Sequence, residues 1–123
     1  MTVSLEETPV HNFKIHQGQK KTFSLEITQD DGSAMVLTDY LCAMSIKDVA
    51  GGETFLTLTS SPAAGVTVTP ASGLIEFVMT PAQTAAFTFN LAKYDILIYK
   101  SDGSEAKYLL RGDISLIPRI TVV

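Results

Sequence analysis

The sequence has no tryptophan, a single cysteine (Cys42) and only two histidines, His11 and His16. One cysteine excludes an internal disulfide and fits synthesis in a reducing cytoplasm. Neither histidine has a cysteine or carboxylate at metal-ligand spacing, so both are expected as solvated or edge-strand residues rather than metal ligands. Basic residues are scarce: nine Lys and Arg face thirteen Asp and Glu, for a net charge of −4. That balance lacks the basic face rewarded by nucleic acid or an anionic membrane, and neither is expected as a partner. No apolar run approaches the roughly 18 residues of a membrane span. The opening "MTVSLEETPVHNF" lacks a basic segment followed by an apolar one, so no signal peptide is expected. G-x-S-x-G, a phosphate-cradling loop and a glycine-rich turn entering a helix are all missing, which leaves no expected cofactor and no expected catalysis.

What the chain does have is hydrophobic residues, 46% of its 123 positions against 18% charged. That is the composition of one folded domain with one core rather than of a disordered chain. The apolar residues recur mostly with period two, the signature of half-buried strands. Phe13 and Ile15 share one face, as do Phe23, Leu25 and Ile27, then Cys42, Met44 and Ile46, then Ile75, Phe77 and Met79. Asp31-Gly32 and Asp102-Gly103 are hairpin-type turn signals, because glycine takes positive φ without steric cost. The same aspartates lack the alternating carboxylates and distant glutamate of a calcium loop. "TPAQTAAF" is the one helical turn, with Thr80 as N-cap, Pro81 at the first position and Gln83 as reciprocal capping partner. "YDILIY" is apolar on both faces, which predicts a central strand covered on two sides. About eight short strands with turns between them predict a β-sandwich or small barrel, and the bulk of the inward residues favours the sandwich.

Arg111-Gly112-Asp113 spells an adhesive tripeptide, but its neighbours argue for a strand. Tyr108, Leu110, Gly112, Ile114 and Leu116 fall on one face, with Arg111, Asp113 and Ser115 on the other. The expectation is therefore Ile114 and Leu116 buried and Arg111 exposed. Gly112 is expected to mark a bulge or a close approach of neighbouring backbone. Cys42, alternating with Met44 and Ile46, is expected as a buried, inert thiol.

The ordered set of these segments resembles small structural proteins of tailed bacteriophages and prophages. The resemblance runs from about residue 11 to 123 and rests on four signposts: "IHQGQKKTFSLEI", "DGSAMVLTDYLCAMSIKD", "GLIEFVMTPAQTAAF" and "KYDILIYKSDGSEAKYLLRGDISLIP". Within them lie a "dG-x-x-x-dLtgy" step (Asp31-Gly32 to Leu37-Thr38-Asp39-Tyr40) and a "T-x-x-qT" turn (Thr80 to Thr84). A "YDl" strand (Tyr94-Asp95-Ile96) and an "rllxG" strand (Leu109-Leu110-Arg111-Gly112) complete the pattern. The resemblance implies an all-β, Ig-like antiparallel sandwich of about seven to nine strands with one short helical turn, similar to baseplate upper proteins. It implies a virion protein, made in the host cytoplasm and multimeric in the particle. Such a protein joins other virion proteins of tail, baseplate, neck, fibre or capsid as an adaptor or decorating domain. A host-recognising fibre is not expected, since neither a shaft nor a second domain is visible. The alternative is an Ig-like module that binds carbohydrate or a cell surface, which would cluster exposed aromatics at one end.

Residues 1–10 are expected to form an N-terminal arm and residues 11–123 a single sandwich domain. In the arm, Val3 and Leu5 are spaced as a short strand, and Pro9 removes a backbone donor that a central strand needs. Val3, Leu5 and Pro9 are thus the candidate partner interface, by addition of a strand to a neighbouring subunit's sheet edge.

Overall fold

The structure, a computed structural model, describes residues 2–4, 9–29, 31–49 and 52–121. Among the described residues nine strands form: β1 (Thr2–Ser4), β2 (Phe13–His16), β3 (Lys21–Thr28), β4 (Tyr40–Asp48), β5 (Thr54–Thr59), β6 (Val66–Thr69), β7 (Leu74–Met79), β8 (Leu91–Lys100) and β9 (Ala106–Ile117). They make two sheets, ordered β1-β3-β7-β6 and β2-β9-β8-β4-β5. The chain is an all-β sandwich.

Alternation builds the core. Leu25 and Ile27 of β3, Cys42, Met44 and Ile46 of β4, Ile75, Phe77 and Met79 of β7, and Tyr94, Ile96 and Ile98 of β8 are all buried. Each large apolar side chain withdrawn from water in this way contributes roughly 1.5–3 kcal/mol. An aromatic seam ties the layers together. Phe23 stacks on its cross-strand partner Phe77 at 4.7 Å between ring centroids. Phe13 of the other sheet meets Phe23 at 5.4 Å and Tyr94 at 4.9 Å.

The one α-helix among the described residues, α1 (Pro81–Ala85), starts as its residues predict. The Gln83 amide donates to the Thr80 hydroxyl, and the Thr80 amide donates to Oε1 of Gln83. Thr84 next to them is buried, donates to the Gln19 carbonyl at 2.9 Å and accepts from the Gly18 amide at 3.1 Å. The "T-x-x-qT" turn therefore caps the helix and pins the β2–β3 turn beneath it.

Several expectations need correction. The sheets are not wholly antiparallel: β1 runs parallel to β3, and β2 runs parallel to β9. Alternation reports which face a side chain takes and carries no information about a neighbour's direction. Val3, expected to seek a partner, is 1% exposed and sits opposite Ile27 in the chain's own sheet. The open edge of β3 takes up the short strand, and Val3 fills the space beside Ile27. Leu5 lies outside the described residues. Asp31-Gly32 turns the chain, but only one bridge follows, between Thr28 and Ala34, before the chain crosses to the other sheet at β4. Strand β8 is central, yet only its inner face is fully covered: Asp95, Leu97 and Tyr99 are half-buried.

Candidate partner interface

Arg111-Gly112-Asp113 lies inside β9, not at a loop tip. Arg111 is exposed and Ile114 fully buried, whereas Leu116 is only half-buried at the margin of the core. Tyr108 departs from the face assigned to it and is 51% exposed. The cause is a register shift against β8: Ile96 pairs with Leu110 but Leu97 pairs with Tyr108, which leaves Leu109 as an extra residue. Leu109 and Leu110 are both fully buried, so alternation inverts at that point and Tyr108 turns outward.

Gly112 is not at the bulge. It marks a close approach of backbone, because residues 9–12 run directly alongside it. A Cβ at Gly112 would stand 2.1 Å from the His11 carbonyl oxygen. This contact is held by a set of hydrogen bonds. The His11 amide donates to the Arg111 carbonyl at 2.8 Å, and the Arg111 amide donates to the Pro9 carbonyl at 3.2 Å. The Asp113 amide donates to Oδ1 of Asn12 at 2.8 Å. From the opposite strand the Tyr94 hydroxyl donates to the His11 carbonyl at 2.5 Å. Tyr94 lies directly across from Gly112, Asp95 from Arg111 and Ile96 from Leu110. The "YDl" and "rllxG" segments are thus one paired unit that docks the N-terminal stretch. Pro9, the third candidate interface residue, is half-buried and serves this internal contact.

The outer face of the five-stranded sheet carries a groove of about 900 Å³. Its side chains follow from register. One row across the strands is Ala43, Leu97 and Tyr108; the next is Ser45, Asp95, Arg111 and Val10; the third is Lys47, Lys93 and Asp113. Directly opposite residues of paired strands have Cβ atoms about 5 Å apart, so each row is a contiguous strip. Residues 10 and 12 and the end of β4 at Asp48 and Val49 form the sides. Val10 is 61% exposed and Val49 44% exposed, which adds apolar rims to the apolar row.

Charge in the groove is uneven. The Lys93 ammonium lies 3.3 Å from Asp113, a solvent-exposed pair that contributes about 1 kcal/mol at most. Partial burial pushes the Asp95 carboxyl above its ordinary value, against the opposing pull of the Lys47 ammonium. Arg111 makes no ion pair among the described residues. The sequence pointed toward this face through the two-sided apolar character of "YDILIY". It did not reveal Tyr108, whose position depends on the bulge, although two adjacent leucines inside a strand are a signal of one.

Elsewhere the chemistry-bearing side chains are dispersed. Cys42 is fully buried, and burial pushes its thiol up to about 12. His11 and His16 are both exposed, and no group of three or more His, Cys, Asp or Glu converges among the described residues.

A nine-strand mixed sandwich with an open outer groove defines the class as an all-β domain. Among solved structures the chain is similar to one described as the "N-terminal domain of phage TP901-1 ORF48". The TM-score is 0.61 at 11% sequence identity, and the match covers 94% of this chain and 93% of the other. No family model and no curated protein matches the chain.

Proposed function

We propose that this chain is a structural protein of a tailed-phage virion, an adaptor or decorating domain that works through protein–protein interfaces and without catalysis. The observation that carries this reading is the fold likeness to a phage protein domain, which spans 94% of this chain and 93% of the other. The likeness therefore extends over most of both chains rather than over one shared hairpin. The ordered phage-like segments of the sequence support the same reading independently. In this role the domain is multimeric in the particle, and its neighbours are other tail, baseplate, neck, fibre or capsid proteins. Mass spectrometry of density-purified particles from the bacterium that carries the gene tests it. The chain should be present at a fixed ratio to the major capsid protein. Its absence from intact particles would overturn the proposal.

A further inference from the structure

We propose that the chain docks head to tail on a second copy of itself, a lysine-lined cleft at one end of the sandwich receiving the acidic turns at the other end of its neighbour. This deepens the reading above, on which it rests only for where the multimer forms.

The basic end follows from topology. His16 at the end of β2 pairs with Ile117 at the end of β9, so the β2–β3 turn and the residues after β9 share one end of the sandwich. There Lys14, His16, Gln19, Lys20, Lys21 and Thr22 line a cleft of about 280 Å³. Every one of these side chains can donate a hydrogen bond, and no carboxylate is among them. Arg119 lies over the same turn: a Cβ at Gly18 would stand 3.0 Å from its Nη1. Lys14, Lys20, Lys21 and Arg119 are four of only nine basic residues, in a chain with thirteen acids. None of the four is in an ion pair among the described residues. Lys21 lies 5.4 Å from the centroid of the Phe13 ring, a contact that leaves its charge uncancelled. Asp48 and Glu53 are at this end too, but β9 and β8 stand between β2 and β4. Three strand spacings make roughly 14 Å, beyond the screening length of about 8 Å in physiological salt.

The acidic end is opposite. The eight residues of β3 carry the chain from the cleft toward Asp31, a rise of about 25 Å. Asp39 precedes β4 there, and Asp102 and Glu105 lie in the turn that precedes β9. The Asp31 carboxylate accepts from the Ser33 amide at 2.9 Å and hydroxyl at 2.6 Å, and Asp102 accepts from the Ser104 amide at 2.8 Å. Hydrogen bonds from Ser33 and Ser104 hold these two carboxyls below their ordinary value, so both are charged and fixed in place. Of the cations nearby, Lys100 lies 3.9 Å from Glu105 and Lys107 is half-buried. Asp31, Asp39 and Asp102 therefore keep no ion-pair partner among the described residues. Like ends repel and unlike ends attract, which selects the orientation of one copy on the next. A contact between two different patches is heterologous and propagates into a ring or a filament.

Sedimentation velocity of the full chain, at concentrations up to about 1 mM, tests this. Wild type should associate at about 0.01 M salt and about tenfold more weakly at about 0.15 M, as the reach of its charges falls from about 30 Å to about 8 Å. Lys14→Glu/Lys20→Glu and Asp31→Lys/Asp102→Lys should each be monomeric alone. An equimolar mixture of the two should associate, because opposite charges meet again. Asp31→Asn/Asp102→Asn keeps acceptors for both turns and should also be monomeric, which separates lost charge from a disturbed turn. Glu76→Lys, on the outer face of β7, is the control and should associate as wild type does. Circular dichroism establishes that each variant folds. A wild type that stays monomeric throughout would overturn the proposed partner and leave the virion role standing. Association that stops at a dimer would overturn the head-to-tail geometry. A mixture of the folded reversed variants that stays monomeric would overturn the charge pairing. Head-to-tail association of a chain absent from particles would overturn the virion role and support this contact.

Discussion

Replacing Gly112 by alanine tests the account of the N-terminal stretch most directly. The new Cβ would stand 2.1 Å from the His11 carbonyl oxygen, 2.7 Å from its carbon and 3.0 Å from Oδ1 of Asn12. The nearest two atoms are backbone and cannot rotate away, so residues 9–12 must retreat from β9 by about 1 Å to restore ordinary contact. That displacement breaks or stretches four hydrogen bonds: His11 to Arg111, Arg111 to Pro9, Asp113 to Asn12, and Tyr94 to His11. At about 1 kcal/mol net for each, with part recovered by solvation of the exposed groups, the loss is about 2–4 kcal/mol. For a domain of this size that lowers Tm by roughly 8–15 °C. Urea unfolding gives the free energy, and native-state hydrogen exchange should show faster exchange at the His11, Arg111 and Asp113 amides. Gly103 is the contrast: its φ is +78° with no atom within 4 Å of a built Cβ, so alanine there costs only the backbone strain, about 1–2 kcal/mol. A Gly112→Ala protein within about 0.5 kcal/mol of wild type, no more than the weakest single bond of this kind, would refute the reasoning.

Four further outcomes are expected. Asp39 holds φ at +69° at the "dLtgy" glycine position, so Asp39→Gly should raise the urea-derived stability by about 0.5–1 kcal/mol. Thr84→Val should lower it by about 1–3 kcal/mol, because the Gly18 amide and Gln19 carbonyl lose their shared partner. Cys42 should resist thiol reagents in the folded protein, and its burial sets a pH dependence. Its thiol rises from an ordinary 9.0 to about 12 on folding, so it ionises first in the unfolded chain. Stability is full below pH 9 and falls above it by up to about 1.4 kcal/mol per pH unit, and Cys42→Ala should flatten that limb of the unfolding curve. Tyr94, also raised by burial, adds to the alkaline loss above pH 10, and that part should persist in the alanine protein.

Local chemistry determined much of this protein. Period-two alternation selected the inward residues of β3, β4 and β7, because a side chain's face depends only on its position along a strand. Thr80, Pro81 and Gln83 specified their own helix start through contacts that span three residues. The tripeptide Arg111-Gly112-Asp113 was legible as strand from its flanks. Tertiary structure decided what depends on partners distant in the chain. Val3 is core rather than interface because β3 has an open edge beside it, a fact that three residues cannot encode. Tyr108 faces solvent because a register shift against β8 puts Leu109 and Leu110 inside together. The groove gathers Lys47, Asp95 and Arg111 from three strands whose order and register arise only when the sheet assembles. Alternation fixes the face on which each of these side chains lies; only pairing fixes which of them are neighbours.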